Sequence, residues 1–217
     1  MDILNTISES LQKGKAKDVK AQVQEAIDSG IPAREILEKG LLDGMGIVGE
    51  KFKNGEVFVP EVMIAARAMK MGVGLLKPLI ADSGFEAVGK ACVGTVKGDL
   101  HDIGKNLVIM MLEGKGLEVI DLGTDVPPEK FVQTAIEQNC QLICCSALLT
   151  TTMGVMADVV EAVKKAGIRE NVRIMIGGAP ITDQYCSQIG ADKFTLDAAS
   201  AAEAAVALCR ELKEAGK

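Results

Sequence analysis

This 217-residue chain has no tryptophan, one tyrosine and five phenylalanines, so aromatics make up only 3% of it. Single-stranded nucleic acids are gripped largely by stacking bases on aromatic rings, and duplexes by neutralising phosphates with cations. With few rings and a net charge of −6, neither mode is available, and no nucleic-acid partner is expected. Long apolar runs are also missing. None approaches the ~20 residues that span a bilayer, and the first residues, Met1-Asp2-Ile3-Leu4-Asn5, have neither the basic nor the apolar segment of a signal peptide. No membrane association and a cytoplasmic location are therefore expected. The six cysteines, at 92, 140, 144, 145, 186 and 209, form no Cys-x-x-Cys pair. With a single histidine beside them, zinc ligation has no donor set, and four of the six lie in or beside apolar strand-like runs, as small buried hydrophobes do.

What is present divides in two. Up to about Ala81 the apolar residues recur at helical spacing. Val19, Val23, Ala26 and Ile27 form one stripe before Gly30, and Ile36, Leu37, Leu41, Met45 and Val48 form another after Pro32. Asn54-Gly55 marks a turn, and a long helix follows Pro60. With a first helix near Ile3–Leu11, these make a four-helix bundle. Gly72 and Gly74 each weaken the last helix by ~1 kcal/mol relative to alanine, which points to close packing there. Asp82-Ser83-Gly84 reads as a linker, dividing the chain into domains 1–83 and 84–217. Beyond it, short β-branched runs at 91–96, 117–122, 142–146, 172–177 and, more weakly, 193–195 alternate with helical stretches near 105–113, 128–139, 153–165, 183–189 and 199–214. Continuous apolar strands alternating with helices predict a doubly wound, five-stranded parallel sheet, whose ligands bind at the carboxyl ends of the strands.

Three of those strand-end loops are unusual. After the first strand comes Lys97-Gly98-Asp99-Leu100-His101-Asp102-Ile103-Gly104, which holds the only histidine. After the third comes Ser146-Ala147-Leu148-Leu149-Thr150-Thr151-Thr152, and after the fourth Gly177-Gly178-Ala179-Pro180. The first loop lacks a Gly-x-Gly-x-x-Gly dinucleotide fingerprint. Its Gly98 and Gly104-Lys105 are one residue too far apart for a P-loop, and Asn106 stands where Ser or Thr is needed. A carboxylate two residues before an imidazole suits a histidine that ligates a metal through one nitrogen while the other is anchored. Alone, each feature has a plainer reading: His101 as a surface residue, Asp99 or Asp102 as a helix cap, the threonines as a polar loop, Gly177-Gly178 as an ordinary turn. Their placement on one edge of one sheet is what the plainer readings leave unexplained.

Asp-x-His-x-x-Gly, with the two later loops in order, strongly resembles the corrinoid proteins of methyltransferase systems and the cobalamin module of methionine synthase. The likeness covers nearly the whole chain. Around Ser146 to Met153 it is strongest to the small subunits serving methylamines, quaternary amines and methanol. The resemblance implies a helical cap followed by a flavodoxin-like cobalamin-binding domain. It implies cobalamin bound base-off, with His101 as the lower ligand of cobalt, Asp99 accepting from its other nitrogen, and Thr152 completing the relay where methionine synthase has a serine. Gly98, Asp102, Ile103 and Leu148 would line the cofactor, Ser146 and Thr150 its displaced tail, and Gly104, Gly177 and Gly178 the slot that receives it. Phe52 and Val59 match residues that cap the corrin; packing around the Asn54-Gly55 turn is the alternative for both. The implied role is a methyl carrier cycling between cob(I)alamin and methylcobalamin, a component of a multi-subunit methyltransferase rather than an independent enzyme. Its expected partners are a substrate-specific methyltransferase, a second methyltransferase acting on tetrahydrofolate or coenzyme M, and a reductive activase. A cobalamin-dependent sensor is the alternative. Such regulators carry an output domain and place a tryptophan over cobalt, and this chain has none.

Overall fold

A computed structural model describes residues 2–81 and 87–215 of the chain. The expected linker Asp82-Ser83-Gly84 lies outside the described residues. The chain divides into two compact units, Met1–Glu86 with Gly114–Gly116, and Ala87–Glu113 with Leu117–Lys217.

The first unit is helical. Its elements are α1 (Ile3–Gln12), α2 (Ala16–Asp28), a run from α3 (Ala33–Glu35) through a π-helical segment (Ile36–Leu42) into α4 (Asp43–Lys53), and α5 (Val59–Ala81). The unbroken run acts as one long helix, so four helices enclose a core of Ile7, Leu11, Val19, Val23, Ile36, Leu41, Met45, Val62 and Leu76. The wider π turn was not visible in the apolar spacing. Of the two glycines of α5, Gly72 fits the close-packing expectation, because a Cβ there would meet Leu41 at 2.9 Å and Val19 at 3.3 Å. Gly74 does not, since nothing lies within 4 Å of its Cβ position.

The second unit is a parallel sheet in the order β2-β1-β3-β4-β5. Its strands are β1 (Lys90–Val96), β2 (Glu118–Val126), β3 (Leu142–Ser146), β4 (Arg173–Gly177) and β5 (Lys193–Phe194). They alternate with α6 (Ile103–Gly114), α7 (Pro128–Glu137), α8 (Gly154–Lys165), α9 (Asp183–Ile189) and α10 (Ala198–Ala215). The chain moves one way from β1 to β2 and the other way from β3 to β4. Right-handed crossovers then put α6 on the opposite face from α7, α8 and α9. Phe131, Val132, Met156, Val159 and Val160 of α7 and α8 pack on Cys92, Ile143, Cys145 and Ile174 of the strands. All six cysteines are buried and free, as the apolar reading expected, and burial pushes the Cys144 thiol up to about 12.

Strand β2 departs from expectation. It runs four residues past the predicted end at Leu122, and its pairing with β1 slips between Val93 and Gly94 and again between Gly94 and Val96. Each slip inserts a residue into β2, a bulge that bends the strand and re-aims its side chains.

Candidate functional site

Between β1 and β3 the strand order reverses, and in open α/β sheets the crevice for ligands lies at that point, outside the carboxyl ends. Thr95, Ser146 and Gly177 stand side by side in the pairing, so the three loops leave the sheet at one level. The β1 loop turns sharply. Gly98 has φ +83°, and the Asp99 amide returns to the Val96 carbonyl at 3.1 Å. That turn drops the Asp99 side chain into the sheet end, where it is fully buried.

Asp99 joins two loops. Its Oδ1 accepts from the His101 ring Nδ1 at 2.7 Å and from the His101 amide at 3.1 Å. Its Oδ2 accepts from the Thr152 hydroxyl at 2.7 Å and from the amides of Leu148 at 2.8 Å and Leu149 at 3.3 Å. Burial alone would raise the carboxyl pKa. The hydroxyl of Thr152, the imidazole, and the amides of His101 and Leu148 outweigh it and hold the group well below the usual carboxylate range. Asp99 is therefore an anion, with no proton to donate, and Nδ1 must carry the one between them. The opposite nitrogen, Nε2, lies on a ring whose side chain is 52% exposed. A further bond, from buried Thr95 Oγ1 to the His101 carbonyl at 2.8 Å, fixes the backbone beneath the ring.

The capping reading of Asp99 is thus replaced, since its oxygens serve the loops rather than α6. Asp102 does stand at the start of α6. Its carbonyl takes the Asn106 amide at 2.7 Å, and its carboxylate pairs with the Asn106 side chain at 3.2 Å. Ile103 (74% exposed) and Leu148 (44%) hold apolar side chains in the open, as do Leu100 and Leu149 on the same two loops. Ser146 is half-buried and Thr150 exposed. Around Gly104 and Gly177 nothing lies within 4 Å of a Cβ position. Gly178 is different: its φ is +131°, and a Cβ would overlap the Ala147 carbonyl oxygen. Phe52 and Val59 belong to the helical unit, both half-buried, on either side of the Asn54-Gly55 turn.

Three residues were not singled out from sequence, and a fourth, Lys105, was weighed there only as part of a P-loop. Asp125, at the bulged end of β2, accepts from the Gly98 amide at 2.7 Å, and its own amide donates to the Asp99 carbonyl at 3.0 Å. Lys105 is 2% exposed and pairs with Asp121. Tyr185 donates from its hydroxyl to the Met153 carbonyl at 2.7 Å, tying α9 to the β3 loop. Thr95 is the last of the three. A lone Tyr and a Lys beside the histidine motif were the available signals.

Among the described residues no three His, Cys, Asp or Glu side chains converge as a metal cage. A metal held by His101 must bring its other donors with it, as a macrocycle does, and the exposed leucines and isoleucine suit a broad apolar ring. The open backbone at Gly104 and Gly177 suits an extended tail. These residues fit cobalamin.

The comparisons with known proteins agree. Residues 3–77 and 89–207 each match a family described as a B12 binding domain. The chain belongs to the corrinoid proteins of methyltransferase systems. It is 44% identical over 212 residues to dimethylamine corrinoid protein 1 of Methanosarcina acetivorans, covering 97% of each chain. It is 43% identical to trimethylamine corrinoid protein 1 of the same organism, over 82% of this chain and 84% of that one. Among solved structures, the methanol:cobalamin methyltransferase complex MtaBC from Methanosarcina barkeri contains a chain that superposes with a TM-score of 0.86 at 30% identity, covering 96% of this chain and 80% of that one. The helical region followed by a parallel B12-binding α/β fold is thus the family's architecture. This corrinoid protein carries methyl groups on bound cobalamin, and none of its described helices is long and apolar enough to cross a membrane.

Proposed function

We propose that His101 is the lower axial ligand of cobalt, with the cofactor bound base-off and its tail between sheet and helices. The observation that carries this reading is the half-exposed imidazole whose Nδ1 is engaged by a buried, ionised Asp99 that Thr152 holds from the other side. When bound, cobalamin supplies a cobalt that accepts a methyl group from a substrate-specific methyltransferase and releases it to a second one acting on tetrahydrofolate or coenzyme M. The chain's own contribution is to present and withdraw a ligand. Asp99 keeps the proton of the imidazole on Nδ1, which leaves Nε2 as the donor. With Nε2 free of a metal, the same anion would stabilise a protonated imidazole. Thr152 and the two leucine amides keep Asp99 ionised through both states.

The other residues serve the cofactor's shape. Gly98, Asp102, Ile103 and Leu148 line it, Ser146 and Thr150 flank the tail, and Gly104 and Gly177 leave room for it beside Gly178, whose missing side chain lets the backbone pass Ala147. Phe52 and Val59 cap its upper face, as part of a cap domain of residues 1–83 preceding a cobalamin domain of residues 84–217. A methylated amine is the donor class supported by the dimethylamine and trimethylamine relatives, and a separate methyltransferase subunit is supported by the methanol complex. A reductive activase is the third partner.

Reconstitution with hydroxocobalamin followed by desalting tests the ligand. The wild type should retain corrinoid with the spectrum of a nitrogen-ligated cobalt, and His101→Ala should lose that signature. A wild type that retains no corrinoid overturns the carrier reading. A variant spectrum identical to wild type overturns the role of His101.

A further inference from the structure

Asp99 is held from two sides, and only one of them belongs to the His–Asp–Thr relay. The second is the end of β2. There the two register slips bulge the strand, and Asp125 takes a left-handed conformation, φ +56°. In that conformation it makes two bonds across the loop. Its carboxylate accepts the Gly98 amide at 2.7 Å, and its amide donates to the Asp99 carbonyl at 3.0 Å. One residue earlier than Asp99 and Asp99 itself are thereby fixed by a single side chain and its own backbone. Two residues before Gly123, Asp121 does the complementary task on the helix side: it accepts from the Gly123 amide at 2.9 Å and pairs with Lys105 near the start of α6. The turn that carries His101 is therefore pinned at both of its ends to β2.

A non-glycine residue at positive φ costs of order 1 kcal/mol, and aspartate is among the few that tolerate it. The fold keeps that cost at the one point of β2 that touches the Asp99 backbone. We propose that Asp125 is a positioning residue for the cobalt ligand, acting through the backbone of Gly98 and Asp99 to hold His101 at the height the metal requires. This rests on the reading of His101 as ligand. Asp125 touches neither the imidazole nor the relay oxygens; its effect is on where Asp99 sits.

Three substitutions separate the carboxylate from the backbone. Asp125→Asn retains an oxygen acceptor and tolerance of the left-handed backbone. Asp125→Gly retains only the backbone, and Asp125→Ala retains neither. In the apo-protein, hydrogen exchange at the Gly98 amide should accelerate about 10-fold in Asp125→Gly and stay near wild type in Asp125→Asn. In protein loaded with cob(II)alamin, the nitrogen hyperfine splitting in the electron paramagnetic resonance spectrum reads the fraction of cobalt bearing His101. The ratio of ligated to unligated cobalt should fall about 10-fold in Asp125→Gly, within the range seen for groups that orient a metal ligand, and Asp125→Asn should restore it. Thermal melts establish that each variant is folded. An Asp125→Gly protein that is folded, exchanges at the wild-type rate and shows undiminished splitting overturns the proposal, as does Asp125→Asn behaving like Asp125→Gly. If the wild type binds no corrinoid, the ligand reading fails by itself, while the exchange measurement still reports whether Asp125 holds the loop.

Discussion

The loops after β1 and β4 stand at one level of the same sheet and are built by opposite means. The β1 loop is dense with polar bonds. Both oxygens of Asp99 are committed, and the backbone around it is tied to β2, to β3 and to itself. The β4 loop carries two glycines and works by what they lack. Nothing lies within 4 Å of a Cβ position on Gly177, and at Gly178 the chain passes so close to Ala147 that no side chain fits. On the proposed reading, a ligand that leaves and returns needs an anchor, whereas the cofactor's tail needs room. In the first loop, losing an atom does the damage; in the second, gaining one does.

The comparison is broken most severely at Asp99. Asp99→Ala removes the acceptor of a buried hydroxyl, three amides and the imidazole at once, and unsatisfied buried groups cost about 1–3 kcal/mol each. A loss of about 3 kcal/mol in urea unfolding is expected, together with loss of corrinoid retention; a loss below about 1 kcal/mol would show that the loop does not depend on this carboxylate. The same residue predicts an acid limb. Its folded pKa is depressed, so below about 3.9 the unfolded chain takes up a proton that the folded one refuses. Stability from Asp99 is present above that pH and declines as the pH falls below it, and melts of Asp99→Asn should show a shallower decline.

Gly178→Ala comes next. Overlap with Ala147 and a backbone at φ +131° should cost about 2 kcal/mol, read as a lower unfolding midpoint in apo-protein. Thr152→Val removes one hydroxyl while keeping the shape, for about 1 kcal/mol. Thr152→Ser should recover most of it, since the relay needs the oxygen rather than the methyl. Gly177→Ala sharpens the contrast from the other end. With open space at its Cβ, stability should move by less than about 0.5 kcal/mol, while corrinoid retention after desalting falls. Equal retention in Gly177→Ala and wild type would remove Gly177 from the tail slot.

Much of this molecule was legible in its sequence, and the legible parts share a cause. Strand β3 and helix α9 fall at their expected bounds, because a continuous apolar run between turn residues and an Asp-initiated amphipathic stretch leave little choice. The β1 loop was legible because histidine occurs once and its neighbours limit what it can do. What escaped was longer-range. The extension of β2 reads as Gly-Thr-Asp-Val, the composition of a turn, and only its pairing with β1 makes a bulged strand of it. Lys105 was weighed as a phosphate ligand, and its burial against Asp121 depends on a strand sixteen residues away. The π-helical segment Ile36–Leu42 repeats the apolar spacing of an ordinary helix closely enough to hide in it. Local propensity marks elements; partners supplied from elsewhere in the chain set the details that position the ligand.

The wide separation of Asp99's partners has a consequence for the order of events in the cell. Leu148 and Thr152 lie 49 and 53 residues along the chain from it, and Asp125 comes from a different strand again. Contacts of such long range form late, after the intervening segments have already collapsed and paired. Until β1, β2 and β3 are all in register, the imidazole has no fixed tautomer and no fixed height. The newly made chain therefore holds no preset histidine, and the arrangement around His101 waits on the completed sheet.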